Sequence, residues 1–206
     1  MGDYGDGLVQ RYRDVSDGFA RRLADVRADQ WEWATPCTEW NVRQLVNHMT
    51  QANLSYVRLL AGGTKEEFIR ARDGDALGDD PVGAYARSVR DLADAFDTGD
   101  AENATLDHPL GHMSGRQGLA MRTTDSAIHT WDLARAVGAD EHLDDGLVAW
   151  ITGSLDEIYA GLPETPVAPT STHRFFAAPP GPLPDDASPQ HRLLHVMGRD
   201  AGPPGR

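Results

Sequence analysis

Reactive sulfur is nearly absent from this chain of 206 residues: Cys37 is its one cysteine, which excludes an intrachain disulfide. Long apolar runs are missing too, so no segment reads as a transmembrane helix. The first residues, Met-Gly-Asp-Tyr-Gly-Asp-Gly, carry neither the basic nor the apolar region of a secretion signal. A soluble cytoplasmic protein with no membrane partner is expected. Positive charge is also scarce. Nineteen lysines and arginines face 32 aspartates and glutamates, a formal net charge of −13 spread along the chain. Such a surface repels a phosphate backbone, so no nucleic-acid partner is expected. The acidity itself selects no substrate and reads as a solvated surface. Cys37 follows Pro36 near a helix start, where a thiolate gains some stabilisation, but a small packed side chain is the expectation for a single cysteine.

No internal repeat and no strong two-residue alternation is present, whereas three- and four-residue apolar spacing recurs, so the class is all-α. The length fits one domain with a real core. Leu8, Tyr12, Val15, Phe19, Leu23 and Val26 mark a first helix. A second runs from about Asn41 to Ala61, with Asn41 and Gln44 at capping-box spacing and Gly62-Gly63 as its stop. A charged, Gly-containing loop is expected next. Asp80-Pro81 opens a third helix with Val82, Tyr85, Val89, Leu92 and Phe96 on one face. Ser114 and Gln117 open a fourth, which ends at Gly138, and a fifth begins near Asp144-Asp145. Four of the five make an antiparallel bundle, with the remaining helix alongside and no sheet larger than a hairpin. Residues 1–162 are assigned to this bundle. Residues 163–206 are a Pro-rich extension packed on the same domain, with an extended stretch at Thr172–Ala177, a short helix around His191–Met197 and a disordered end.

The chemistry concentrates in Asp125 and His129. They lie four apart on the fourth helix, so they stack on one face and can share a metal ion. At 100° per residue, Met121, Asp125, Ile128, His129, Asp132 and Ala136 fall within an arc of roughly 100°. An ionisable group on an apolar face is costly unless paired or metal-bound. An ordinary helix pair remains the alternative, and a third ligand is needed. His48, at the edge of the second helix's apolar stripe, is the best candidate, although a lone histidine there also reads as a satisfied core residue.

Rival histidines are weaker. His191 and His195 are four apart on the short terminal helix and read as surface or packing residues. His108 and His112 flank Pro109 and Gly111, so they belong to a loop over the site, where one could act as a base. His142 and His173 carry no pattern. Asp132 either orients a ligand or pairs with Arg43, Arg135 or another cation, the structural role being favoured. Trp40 and Trp131 are expected to pack near the site.

Thr35-Pro-Cys-Thr-Glu-Trp-Asn-Val-Arg-Gln-Leu-Val-Asn-His48 resembles the first signature of the actinobacterial DinB-like metal-binding proteins, relatives of the mycothiol-dependent maleylpyruvate isomerases. Asp125-Ser-Ala-Ile-His-Thr-Trp-Asp-Leu-Ala-Arg-Ala-Val-Gly138 resembles the second, and Ala187–Asp200 resembles the group's terminal helix. The resemblance implies a DinB-like four-helix bundle. It also implies a metal site of His48, Asp125 and His129 with open positions for water or substrate. The isomerases carry Glu where this chain has Asp125, and a further C-terminal domain for which this chain is too short.

The expected function is a metal-dependent enzyme that activates a small thiol for S-transfer or isomerisation of an electrophilic small molecule. Zn, Ni or Fe(II) all accept this ligand set, so the residues do not choose among them. Mycothiol is the thiol implied by the resemblance alone. Two alternatives stay open: a metal-hydroxide hydrolase, and a non-enzymatic, metal-stabilised bundle that binds a ligand. An exposed bundle face would also permit a homodimer.

Overall fold

The structure, a computed structural model, describes residues 7–38, 40–162 and 179–202. Among these lie seven helices and one two-stranded sheet: α1 (Leu8–Ala24), α2 (Val42–Leu60), α3 (Lys65–Ala71), α4 (Pro81–Phe96), β1 (Thr105–His108), β2 (Gly111–Ser114), α5 (Gly115–Val137), α6 (Asp145–Ile158) and α7 (Pro189–Val196). The long helices begin where the caps are. Asn41 and Gln44 form the reciprocal capping box of α2, and Asp80 accepts from the Gly83 amide ahead of Pro81 in α4. Ser114 caps α5, whose end is set by Gly138 in the left-handed conformation at φ 73°.

Two elements were not foreseen. α3 lies in the segment expected to be a loop. It forms on a Thr64–Glu67 capping box and buries no residue, so it leaves no apolar stripe to read. The β1–β2 hairpin pairs Leu106 with Met113 in antiparallel register, and only these two and His108 are buried in it, too short an alternation to stand out. The stretch expected to be extended at Thr172–Ala177, and His173 with it, lie outside the described residues.

α1, α2, α4 and α5 form the four-helix bundle. Its neighbours are not all antiparallel. Gly18 of α1 faces Thr130 of α5, and Arg22, one turn on, reaches the Asp140 and His142 carbonyls just past the end of α5 at 2.8 Å each, so α1 and α5 run the same way. Arg43, at the start of α2, reaches the Gly78 carbonyl before α4, and Asn53 bonds Ser88 at 3.0 Å, so α2 and α4 also run together. Arg13–Asp97 and Phe19–Tyr85 set α1 against α4 with opposite polarity. His48–Asp125 and Tyr56–Gly118 do the same for α2 and α5. Joining two parallel neighbours requires a connection that returns along the bundle, and residues 61–80, carrying α3, provide it between α2 and α4.

The core is apolar, from Tyr12 and Phe19 of α1 through Leu45 and Met49 of α2 to Leu119 and Trp131 of α5. Ile151 and Ile158 of α6 and Leu193 and Leu194 of α7 are buried in it as well. No helix among the described residues is long and apolar enough to cross a membrane.

Gly115 opens α5 beside the loop before β1, its amide bonded to the Ala104 carbonyl at 2.8 Å. A Cβ at Gly115 would lie 1.9 Å from the Ala101 carbonyl oxygen, a backbone atom that cannot swing away. Gly115→Ala therefore overpacks the junction, and urea denaturation should show a loss of about 1–3 kcal/mol. Unchanged stability would mean that the approach of these backbones is looser than the structure has it.

Candidate metal centre

Antiparallel packing of α2 on α5 brings His48 across 77 residues to the Asp125–His129 pair. His48 Nε2 lies 3.3 Å from Asp125 Oδ2, and His129 Nε2 lies 3.2 Å from Asp125 Oδ1. One ligand atom from each of the three lies within 4.8 Å of the others. Each ring is held from behind. Trp40 stacks on His48 with ring centroids 4.3 Å apart. Its loop is closed by the Thr35 hydroxyl, 3.0 Å from the Cys37 carbonyl and 2.8 Å from that of Trp40. His129 presents its other nitrogen, Nδ1, to Asp132 Oδ2 at 2.8 Å.

Asp132 thus combines the two roles weighed for it. It orients His129 and also takes a bidentate bond from Arg199, at 2.8 and 3.1 Å. The cation is Arg199, since Arg43 pairs with Asp75 and Arg135 with Glu141. Arg199 lies 67 residues away in sequence, and nothing local announced the pairing.

Arg122 is the residue that sequence reading passed over. Its side chain is 1% exposed, inside the bundle. Nε donates to Asn53 Oδ1 at 2.8 Å, Nη2 to the Met49 carbonyl at 3.1 Å, and Nη1 to Asp125 Oδ2. Its position three residues before Asp125 on the same helix was the available signal.

The electrostatics follow from this packing. Burial opposes the charge of Asp125, but His129 and His48 outweigh it and hold the carboxyl well below its usual range. Burial likewise opposes charge on His129, yet Asp125 and Asp132 on either side raise its pKa. His48, with more desolvation than compensation, is shifted down. His129 Nδ1 keeps its proton and donates it to Asp132, so loss of the second proton bares Nε2 toward His48 and Asp125.

A pocket of about 250 Å³ opens beside the cluster, lined by His48, Asp125 and Arg122 on one side and by Tyr56, Phe68 and His108 on the other. His108 does not sit in a loop. It ends β1, is 6% exposed, and burial lowers its pKa to about 4, so the ring is uncharged near neutral pH and only a weak base. His112 points out to solvent, 3.7 Å from Asp107. His191 is exposed and His195 half-buried on α7, and neither approaches the cluster. Cys37 is half-buried, and Trp131 is in the core under Arg135.

An all-α bundle with two imidazoles and a carboxylate converging beside a pocket defines a candidate metalloprotein of the DinB-like fold. The chain belongs to the family of the mycothiol maleylpyruvate isomerase N-terminal domain, whose profile matches residues 12–134. It is 34% identical over 142 residues to an uncharacterized protein of Mycobacterium tuberculosis, found in two strains, covering 69% of this chain and 73% of that one. The crystal structure of the mycothiol-dependent maleylpyruvate isomerase shares the fold at a TM-score of 0.59 and 16% identity, over 75% of this chain and 72% of that one. A structure of a His-to-Ala mutant of that enzyme matches at 0.59 and 15%.

The depressed pKa of His108 has a sign that can be measured. Between its unfolded value of 6.5 and about 4, the unfolded chain binds a proton that the folded chain refuses. Stability is therefore lost as pH falls through that window, by up to about 3 kcal/mol. His108→Gln should flatten the decline in chemical-denaturation midpoints between pH 6.5 and 4. His48 acts with the same sign in both proteins and cancels in the comparison. Parallel curves for the two proteins would show that His108 titrates in the folded state as it does unfolded.

Proposed function

We propose that this chain is a metal-dependent enzyme that activates a low-molecular-weight thiol against a small electrophile, with His48, Asp125 and His129 as the ligands of one divalent cation. The observation that carries the reading is the convergence of those three side chains within 4.8 Å, with the His129 tautomer set by Asp132. The donor set fits. One ligand atom from each of the three side chains lies within 4.8 Å of the others, close enough for one divalent cation to be shared among them. Two imidazoles and one carboxylate suit Zn, Ni or Fe(II) and leave coordination positions open.

A cation held there lowers the pKa of a thiol that coordinates it and so supplies a thiolate at neutral pH. The protein's own part is positional. Trp40 and Asp132 fix the two rings, Arg122 aims the carboxylate, and the pocket holds the electrophile next to them. Membership in the isomerase family supports mycothiol as the thiol, and S-transfer or double-bond isomerisation as the outcome. Asp125, with one methylene less than glutamate, carries the single ligand carboxylate.

Elemental analysis of purified protein should find about one divalent ion per chain, lost in His48→Ala and His129→Ala proteins that stay helical by circular dichroism. Stoichiometric metal in the double variant would refute the site. Asp132→Asn should weaken metal binding about 10- to 100-fold. Affinity should fall as pH falls, because His129, whose pKa is raised, must give up a proton to bind.

With cobalt in the site, mycothiol should add a sulfur-to-metal charge-transfer band. No band at saturating thiol, with turnover indifferent to thiol, would identify a metal-hydroxide hydrolase instead.

A further inference from the structure

The far wall of the pocket contains a polar pair that metal binding does not use. His48, Ala52 and Tyr56 follow one another at four-residue steps on α2, so they share a face. Tyr56 and His48 accordingly line the same pocket. Its hydroxyl lies 3.4 Å from His108 Nε2 at the end of β1. Phe68 of α3 closes edge-on against both rings, with centroids 6.2 and 5.1 Å away. Tyr56 also packs where Gly118 of α5 has no side chain, since a Cβ there would come within 2.9 Å of the ring.

The hydrogen bonds settle who donates. The Leu110 amide donates to His108 Nδ1 at 3.2 Å, so that nitrogen carries a lone pair. Burial keeps the ring neutral near pH 7, and its one proton is therefore on Nε2. That proton points at the Tyr56 oxygen. The phenol, whose pKa burial raises, keeps its own hydrogen and can donate it to a guest. A contact of 3.4 Å is long for a hydrogen bond, which leaves the hydroxyl room to turn. A neutral imidazole backing a neutral phenol is a donor array suited to an oxygen on which negative charge develops.

The rest of the lining limits the guest. Ala52, Phe68, Pro109, Leu110 and Met121 are apolar, and Tyr159, which follows α6, adds a second phenol. Arg122 is the one guanidinium among the described residues of the lining, and it is taken up by Asp125, Asn53 and Met49. A substrate carboxylate would find no such partner on this wall. The volume of about 250 Å³ admits a small molecule only.

We propose that Tyr56, positioned by His108, is the carbonyl-binding residue for a small, uncharged α,β-unsaturated carbonyl compound, the electrophile of the thiol chemistry inferred above, on which this assignment rests. The thiolate sulfur forms a C–S bond at the β-carbon. The alkene pair shifts to become the new double bond between the α-carbon and the carbonyl carbon, and the carbonyl π pair moves onto oxygen, where the Tyr56 hydroxyl holds it by a hydrogen bond. In conjugation, the proton released by the thiol returns through solvent to the α-carbon. In isomerisation, rotation about the former double bond precedes expulsion of the same thiolate, with no net proton change. Tyr56 is then a catalytic residue and His108 a positioning residue.

The probe is 2-cyclohexen-1-one, read first by difference infrared spectroscopy on the metal-free protein, which requires neither metal nor turnover. The bound carbonyl stretch should move to lower frequency in the wild type and return toward its solution value in Tyr56→Phe. His108→Gln, which keeps an N–H donor, should retain the shift that His108→Ala diminishes. Absence of binding, or a shift that survives in Tyr56→Phe, overturns the proposal.

The second reading is turnover with zinc and thiol. Tyr56→Phe should lower kcat about 10²-fold with zinc content and the KM for thiol unchanged, and an anionic enone should be a poorer substrate than cyclohexenone. Equal kcat, or a preference for the anion, also overturns the assignment. A wild-type protein with no thiol-dependent turnover refutes the thiol reading itself, and the infrared result then decides the carbonyl site alone.

Discussion

The carboxylate of Asp125 is met by polar partners from both helices that flank the pocket, and that meeting ties α2 to α5. A buried carboxylate is costly unless its charge and lone pairs are met. Here Arg122 meets it from the same helix, His129 from one turn further on, and His48 from α2. The guanidinium that braces it is itself buried and is bound to Asn53 and Met49 of α2. α2 and α5 are therefore joined by a polar seam as well as by apolar packing. Misplacing one helix against the other would leave the buried Arg122 without Asn53 and Met49, and Asp125 without His48.

α5 bears the consequences of this position. Its residues are buried on nearly every side, from Leu119 and Ala120 through Thr123 and Thr124 to Ala134. The hydroxyls of Thr123, Thr124 and Thr130 are satisfied by the helix's own carbonyls one turn back, at 2.6–3.0 Å. A helix that brings polar side chains into a core in this way needs no solvent face. The single polar-and-apolar arc drawn from its sequence is thus one sector of a helix covered all round. Asp132 continues the polar line past His129 to Arg199, tying the residues that follow α7 to the back of the site.

The connections matter as much as the bundle. Because α2 and α4 run parallel, the chain between them must return along the molecule, and α3 lies on that path. The β1–β2 hairpin, on the path from α4 to α5, delivers His108 to the same place. These two connections bring Phe68 and His108 to the pocket beside Tyr56. Sequence variation in them would reshape the pocket while leaving the three ligands in place.

Periodicity and caps determined much of this protein before any folding was considered. The five long helical segments, the Asn41–Gln44 box, the Asp80-Pro81 start and the Gly138 stop are local facts, set by backbone stereochemistry and by hydrogen bonds three residues apart. The pairing of Asp125 with His129 is equally local, a property of helical spacing. His48 was legible only as a candidate, through its place on a helix and the signature around it. Tertiary structure decided the rest. It chose which helices run parallel, drew His48 across 77 residues to Asp125, and assigned Arg199 to Asp132. It also turned His108 from a loop residue into a buried neutral ring facing Tyr56. The physical reason is common to all of these. A charge or a proton is placed by the groups that surround it in space, and in a bundle those groups come from helices that the sequence keeps far apart.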